Sequence, residues 1–175
     1  MIRTLYHTQE YRPKELKQPI MCCRDDAWLG EAYYFWYAED DAHRWGETSK
    51  RRTGEYEIYK ASVDCENLLD TVFNEENYLF WLKQIEKVAK TILKKTGMKP
   101  SIKEINDYFK ERGTWNDMTG IMFQDLPSNL NFLLVRPIAY KTKIVPFVYK
   151  KRIQIGIFKI NIIQSFKFYK RRECS

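Results

Sequence analysis

The sequence predicts a single α+β domain with strands at both ends of the chain and helices grouped in its middle. Three observations carry that prediction. Short β-branched or aromatic segments open the chain and fill its last third, two amphipathic helices with recognisable stops lie between them, and 175 residues suit one hydrophobic core. Hydrophobic residues make up 44% and aromatics 15%, with only seven glycines and six prolines, so collagen-like, low-complexity and wholly disordered classes are excluded.

Taken in order, Ile2 to His7 reads as an opening strand and Thr8 to Pro19 as a charged, proline-bounded loop. Trp28 to Trp36 packs five aromatics into nine residues without helical spacing, which predicts a turn at Gly30 followed by a strand. Asp40 to Trp45 suits a short helix, with Ala42 and Trp45 on one side, and Glu55 to Val63 alternates as a strand does. Between Glu75 and Lys95 the residues Tyr78, Trp81, Leu82, Ile85, Val88, Ala89, Ile92 and Leu93 recur at the spacing of one buried helical face, and Gly97 with Pro100 stops the helix. Ser101 and Glu104 form a capping box for a second helix that leaves at Gly113. Strands are then expected at Ile121 to Phe123, Phe132 to Val135, Ile144 to Tyr149, Arg152 to Phe158 and Ile160 to Phe168.

No apolar run approaches the roughly 20 residues that cross a bilayer, and no charged-then-apolar leader opens the chain. The expectation is a soluble, unprocessed, cytoplasmic protein with no membrane partner. Cys22, Cys23, Cys65 and Cys174 form no CxxC pattern and no Cys/His spacing suited to a metal, so reduced thiols and no metal site are expected.

Charge is unevenly placed. From Lys141 onward the chain carries ten Lys/Arg and one acid, a balance of +9, whereas the first 140 residues sum to −2. Residues 141–175 therefore read as basic C-terminal strands within the one domain, interleaved with Phe147, Tyr149, Phe158, Phe166 and Tyr169. Bases and aromatics together favour nucleic acid slightly over protein as a partner, although strand alternation places half of the aromatics in the core.

One histidine at a strand end is most often a hydrogen-bonded structural residue, and an aromatic stripe is by default core. Their order along this chain adds something. Tyr6, His7 and Thr8; Trp28, Leu29, Gly30, Tyr34, Phe35 and Trp36; Ala42 and Trp45; and Ile153, Gln154 and Ile155 together resemble a bacterial and fungal family of the ADP-ribosyltransferase-like superfamily, with Tyr-His-Gly-Thr, Trp-Leu-Gly-x-Gly-x-Tyr-Phe-Trp and His-Ile-Gln-Ile motifs. Ala61 to Asp70 and Asn116 to Phe123 are weaker echoes, so the resemblance spans residues 5 to about 163. It departs from the pattern at three places: Thr8 follows His7 directly, Ala32 stands for a glycine, and Arg152 replaces a histidine.

The resemblance implies a split, strongly bent pair of small sheets that clamps NAD, the substrate, in its cleft. It implies catalytic roles for His7, Tyr34 and Gln154 and cofactor-binding roles for Tyr6, His7, Thr8, Gly30, Tyr34 and Phe35. His7 would hold a ribose, Tyr34 would stack on the nicotinamide, and Gln154 would take the place of the usual glutamate. Breaking the ribose–nicotinamide bond builds positive charge on the sugar, so acceptors or negative groups must stand nearby. A glutamine brings no full charge, which points to Glu31, Asp117 or Glu57 as a helper. The implied function is NAD-dependent transfer of ADP-ribose to a macromolecule by a toxin or anti-phage effector, whose partners extend to an antitoxin. Two other readings stand beside it: a degenerate, non-catalytic relative that binds nucleic acid through its basic C-terminal segment, and a subunit that docks another chain on the Glu75–Lys95 helix.

Overall fold

The computed structural model describes residues 1–27, 29–49, 52–125, 138–140, 143–145 and 152–175. The expected strand Phe132 to Val135, residues 146–149 of another, and Trp28 lie outside the described residues.

The first strand, β1 (Ile2–Glu10), pairs antiparallel with β3 (Glu55–Asp64) from Ile2 opposite Asp64 to Glu10 opposite Tyr56. It runs three residues past the expected end at His7, because β3 offers ladder partners to Thr8, Gln9 and Glu10 that no local pattern reveals. The far edge of β3 pairs with β9 (Ile163–Glu173). On its other side β1 meets β2 (Tyr33–Trp36) at one position, Tyr6 opposite Trp36. The ladder continues through β8 (Ile153–Ile157) and β5 (Gly120–Gln124) to β4 (Leu68–Asp70). The result is one mixed seven-stranded sheet in the order β4-β5-β8-β2-β1-β3-β9, with β4 and β5 parallel. Two sheets were expected; here they are one ladder, narrowed to a single residue pair between β1 and β2. A separate hairpin joins β6 (Ile138–Tyr140) to β7 (Lys143–Val145).

Three helices complete the α+β architecture. The first, α1 (Glu39–Ser49), is longer than the expected Asp40 to Trp45, and Glu39, Asp40 and Asp41 favour the positive end of its dipole. The second, α2 (Glu75–Thr96), starts at Asn74, whose side chain accepts from the Asn77 N–H, and stops where Gly97 turns left-handed at φ 73°. The third, α3 (Ile102–Glu111), carries the expected Ser101–Glu104 capping box, and Gly113 follows at φ 70°. Residues 160–162, expected to be extended, form a 3-10 turn before β9.

Alternation along the strands sorts the core into two faces. One face gathers Leu5, Phe35, Ala61, Val63, Met122, Ile153, Ile155 and Ile157 from both halves of the sheet. Among the described residues no α-helix enters that cluster; Ile162 of the 160–162 turn and Ile163 and Phe166 of β9 pack against it. The opposite face is covered twice. Trp36, Tyr56 and Ile58 pack against Ala42 of α1, and Leu29, Leu69, Ile121 and Phe123 pack against Trp81 and Val88 of α2 and Ile105 and Phe109 of α3. On β3, Tyr56 and Ile58 are buried under α1 on this face while Glu57 and Tyr59 are buried on the other against Arg171 and Phe166, so the half-exposed alternation the sequence predicts is absent there.

The expected apolar face of α2 is only partly used. Trp81 and Val88 are buried, Ile85, Ala89 and Ile92 pack partially, and Tyr78, Leu82 and Leu93 stay exposed. Packing through α3 and Trp115 touches a narrower stripe than the sequence periodicity offers.

Candidate functional site

Beyond the Tyr6–Trp36 pair, β1 and β2 part, and the connection through residues 20–27 folds back beside the gap. A cavity of about 310 Å³ lies there, at the low end of the range for small-molecule sites. His7, Thr8 and Gln9 of β1, Tyr34 and Trp36 of β2, Trp45 of α1 and Gln154 of β8 line it, together with residues of the 20–27 connection. That connection is tied to β2 by the bridge between Cys22 and Ala32, whose main chains exchange hydrogen bonds of 2.9 and 3.3 Å.

His7 is 5% exposed, its ring 5.4 Å from Phe35 and 5.8 Å from Phe166. Its Nδ1 lies 2.8 Å from the Tyr34 carbonyl oxygen. A carbonyl only accepts, so Nδ1 carries a proton and donates it in this contact. Thr8 donates its hydroxyl to the Ala42 carbonyl at 2.8 Å, which pins α1 to the wall of the cavity.

Tyr34 is held by its far end. Its hydroxyl accepts from the Leu29 N–H and donates to the Gly30 carbonyl, both at 3.0 Å, and burial raises its phenol well above the usual range. The ring cannot swing, so the surface it shows to the cavity is preset. Gln154 sits opposite Trp36 on one neighbour and Phe123 on the other. The residue is half-buried, and among the described residues nothing bonds its side-chain amide. Half-exposed in the cavity wall, that amide is open to water or to a molecule that enters.

Other residues singled out by sequence fall elsewhere. Phe35 is fully buried and backs His7, so it offers no surface to a ligand. Tyr6 turns toward Tyr169 and the Lys60 ammonium, on the α1 side but away from the cavity. Gly30, at φ 71°, makes the turn and lets α3 approach: a β-carbon there would come within 2.9 Å of the Asp107 carboxylate. Its left-handed backbone and close packing are its reasons to be glycine.

The expected helper acids are also placed away from the cavity. Glu31 pairs with Lys110 at 2.7 Å, Glu57 is buried against the Tyr59 hydroxyl and Arg171, and Asp117 lies in the turn after α3. Among the described lining residues the carboxylate is Asp26, in a two-bond pair with Arg24 at 2.6 and 2.8 Å. Sequence reasoning missed Arg24 and Asp26 as wall residues, because nothing local shows that the 20–27 connection returns to the gap, and it took Trp45 of α1 only as a motif match.

Three bases of the C-terminal segment are paired with acids where it is described. Lys170 meets Glu39 at 2.6 Å, Arg171 meets Glu57 at 2.8 Å, and Arg152 meets Asp125 at 2.9 Å while lying 5.0 Å over the Trp36 ring. Among the described residues no helix is long and apolar enough to cross a membrane, and no three His, Cys, Asp or Glu side chains group as metal ligands. No family model, curated protein or solved structure matches the chain.

Proposed function

We propose that this chain is an NAD-dependent ADP-ribosyltransferase acting on a macromolecular acceptor, as a toxin or anti-phage effector would. The observation behind this reading is convergence: His7, Thr8, Tyr34, Trp36 and Gln154, drawn from three separate motif segments, line one cavity. A volume near 310 Å³ suits the nicotinamide–ribose half of NAD, with the other half running out past Arg24. Tyr34, Trp36 and Trp45 offer ring faces to the nicotinamide. Gln154 accepts from a ribose hydroxyl through its carbonyl oxygen as the sugar becomes cationic, while Asp26, the carboxylate among the described lining residues, is already paired with Arg24. His7 positions the Tyr34 main chain and thereby the stacking ring.

A non-catalytic relative is the second reading. Arg152, standing where the family motif has a histidine, is occupied by Asp125 and Trp36 in a structural role.

Two measurements decide between them. Millimolar NAD is expected to raise the melting temperature, by the equivalent of about 2.7 kcal/mol at a hundredfold excess over Kd. Tyr34→Ala weakens that shift most, and Tyr34→Phe, which keeps the ring but loses the hydroxyl that holds it, weakens it less. Labelled NAD incubated with the protein and a cell lysate then gives labelled polymer, and separate protease and nuclease digestion names the acceptor. A melting curve indifferent to NAD, with no label transferred, overturns the transferase reading.

A further inference from the structure

The connection between β1 and β2 carries Arg12, Lys14, Lys17 and Arg24 against Glu15, Asp25, Asp26 and Glu31, and its bases gather at the start, where residues 12–17 hold three bases and one acid. Arg12, Lys14 and Lys17 are exposed, and among the described residues none of the three makes an ion pair or a side-chain hydrogen bond. In β9 Lys170 and Arg171 are spent on Glu39 and Glu57, while the exposed Lys167 and Arg172, like these three, make no ion pair among the described residues.

These three bases line an open groove with Glu15, Leu16, Gln18 and Tyr33, a lining whose charges balance to +2. The groove and the His7–Gln154 cavity share Ile20 and Met21 as a common wall, so a chain lying in the groove reaches the cavity over two residues. The groove wall is also fixed. The Leu16 N–H donates to the Tyr59 hydroxyl at 3.1 Å, that hydroxyl donates to Glu57 at 2.8 Å, and the Tyr11 N–H donates to the Glu55 carbonyl at 3.0 Å. Three unspent cations at spacings of two and three residues, beside the half-buried ring of Tyr33, match the two needs of a single-stranded nucleic acid: phosphate neutralisation and a face on which a base stacks.

We infer that the β1–β2 connection, through Arg12, Lys14, Lys17 and Tyr33, is the surface that holds single-stranded nucleic acid and leads it to the cavity. Its role as the acceptor track rests on the transferase reading; binding itself does not. The basic C-terminal strand β9 is then secondary.

The test uses the full chain and a fluorescein-labelled single-stranded RNA 20-mer, read by anisotropy from 50 to 200 mM salt. Wild type is expected to bind with a clear salt slope. Arg12→Glu, Lys14→Glu and Lys17→Glu combined should weaken binding at least about tenfold and lower the log–log slope by about 2, at roughly 0.7 for each phosphate no longer neutralised. Tyr33→Ala should weaken it severalfold with the slope unchanged. Lys167→Glu with Arg172→Glu serves as the comparison and should change affinity less than about twofold. Loss through the β9 pair instead, no binding by wild type, or displacement by a poly-glutamate peptide as readily as by unlabelled RNA each overturns the inference. The NAD-dependent melting shift of the triple variant is measured alongside and should equal that of wild type. Absence of that shift in wild type sinks the transferase reading and leaves the RNA result standing on its own.

Discussion

The imidazole Nδ1 of His7 donates to the main-chain carbonyl of Tyr34 across 2.8 Å, just beyond the one residue pair, Tyr6 with Trp36, that joins β1 to β2. A buried side chain therefore does what the ladder no longer does at that point: it holds the two halves of the sheet at a set distance. His7→Ala is expected to cost about 2–4 kcal/mol, since it empties the space between Phe35 and Phe166 and leaves the Tyr34 carbonyl without its donor. His7→Asn restores a donor and should recover part of the loss. Urea unfolding of both variants checks this, and an alanine variant as stable as wild type would mean the junction is held by other contacts.

Gln154 should separate stability from function. Because nothing among the described residues bonds its side-chain amide, Gln154→Ala should shift stability by less than about 0.5 kcal/mol, unlike the truncation of a bonded buried group. Single-turnover transfer should nonetheless fall much further than NAD binding does, as for an interaction that strengthens in the transition state. Gln154→Glu should keep or raise NAD hydrolysis. If both variants transfer as wild type does, Gln154 has no part in the reaction.

Alkaline pH should loosen the β3 side of the molecule. Burial, aided by the carboxylates of Glu47 and Glu57, pushes the phenols of Tyr56 and Tyr59 up to about 12. Their unfolded value is about 10, so between those values the folded state binds more protons than the unfolded one, and stability falls as pH rises. The contribution is complete below about pH 10 and is lost toward pH 12. Urea midpoints at pH 9 and pH 11 should show the decline, and Tyr59→Phe should reduce it. Phenolate absorbance gives the second readout: these two rings should ionise only near pH 12 or on unfolding.

Gly46 inverts a familiar rule. Glycine to alanine inside a helix ordinarily gains about 1 kcal/mol. In α1, a β-carbon at this position would lie 2.3 Å from the Tyr56 ring, which is itself 2% exposed and has no free space to retreat into. Gly46→Ala is expected to lose about 1–3 kcal/mol. A melting temperature at or above wild type would show that α1 shifts outward at little cost.

Several features of this chain were legible without the fold because neighbouring residues settle them among themselves. Ser101 and Glu104 start α3 because the two groups that satisfy each other's main chain are three residues apart. Gly97 ends α2 because a left-handed residue suits its last carbonyls, and β2 follows the Gly30 turn for the same local reason. The α+β class, with helices grouped mid-chain, follows from such signals. Motif order along the chain singled out His7, Tyr34 and Gln154, and these three do line one cavity. Whatever depends on partners distant in sequence had to wait for the folded molecule. Thr8 to Glu10 are strand because β3 lies beside them, and Glu57 is core because Arg171, 114 residues later, reaches it. Tyr6 and Phe35 leave the cavity because alternation and packing send them elsewhere, whereas Asp26 joins it through a loop that folds back. Charge behaves likewise: a run of lysines and arginines read along the chain counts every base, but only packing shows which ones an acid has already claimed. Local hydrogen bonds and backbone preferences act within a few residues, whereas burial and ion pairing are properties of surfaces that exist only once the sheet has closed.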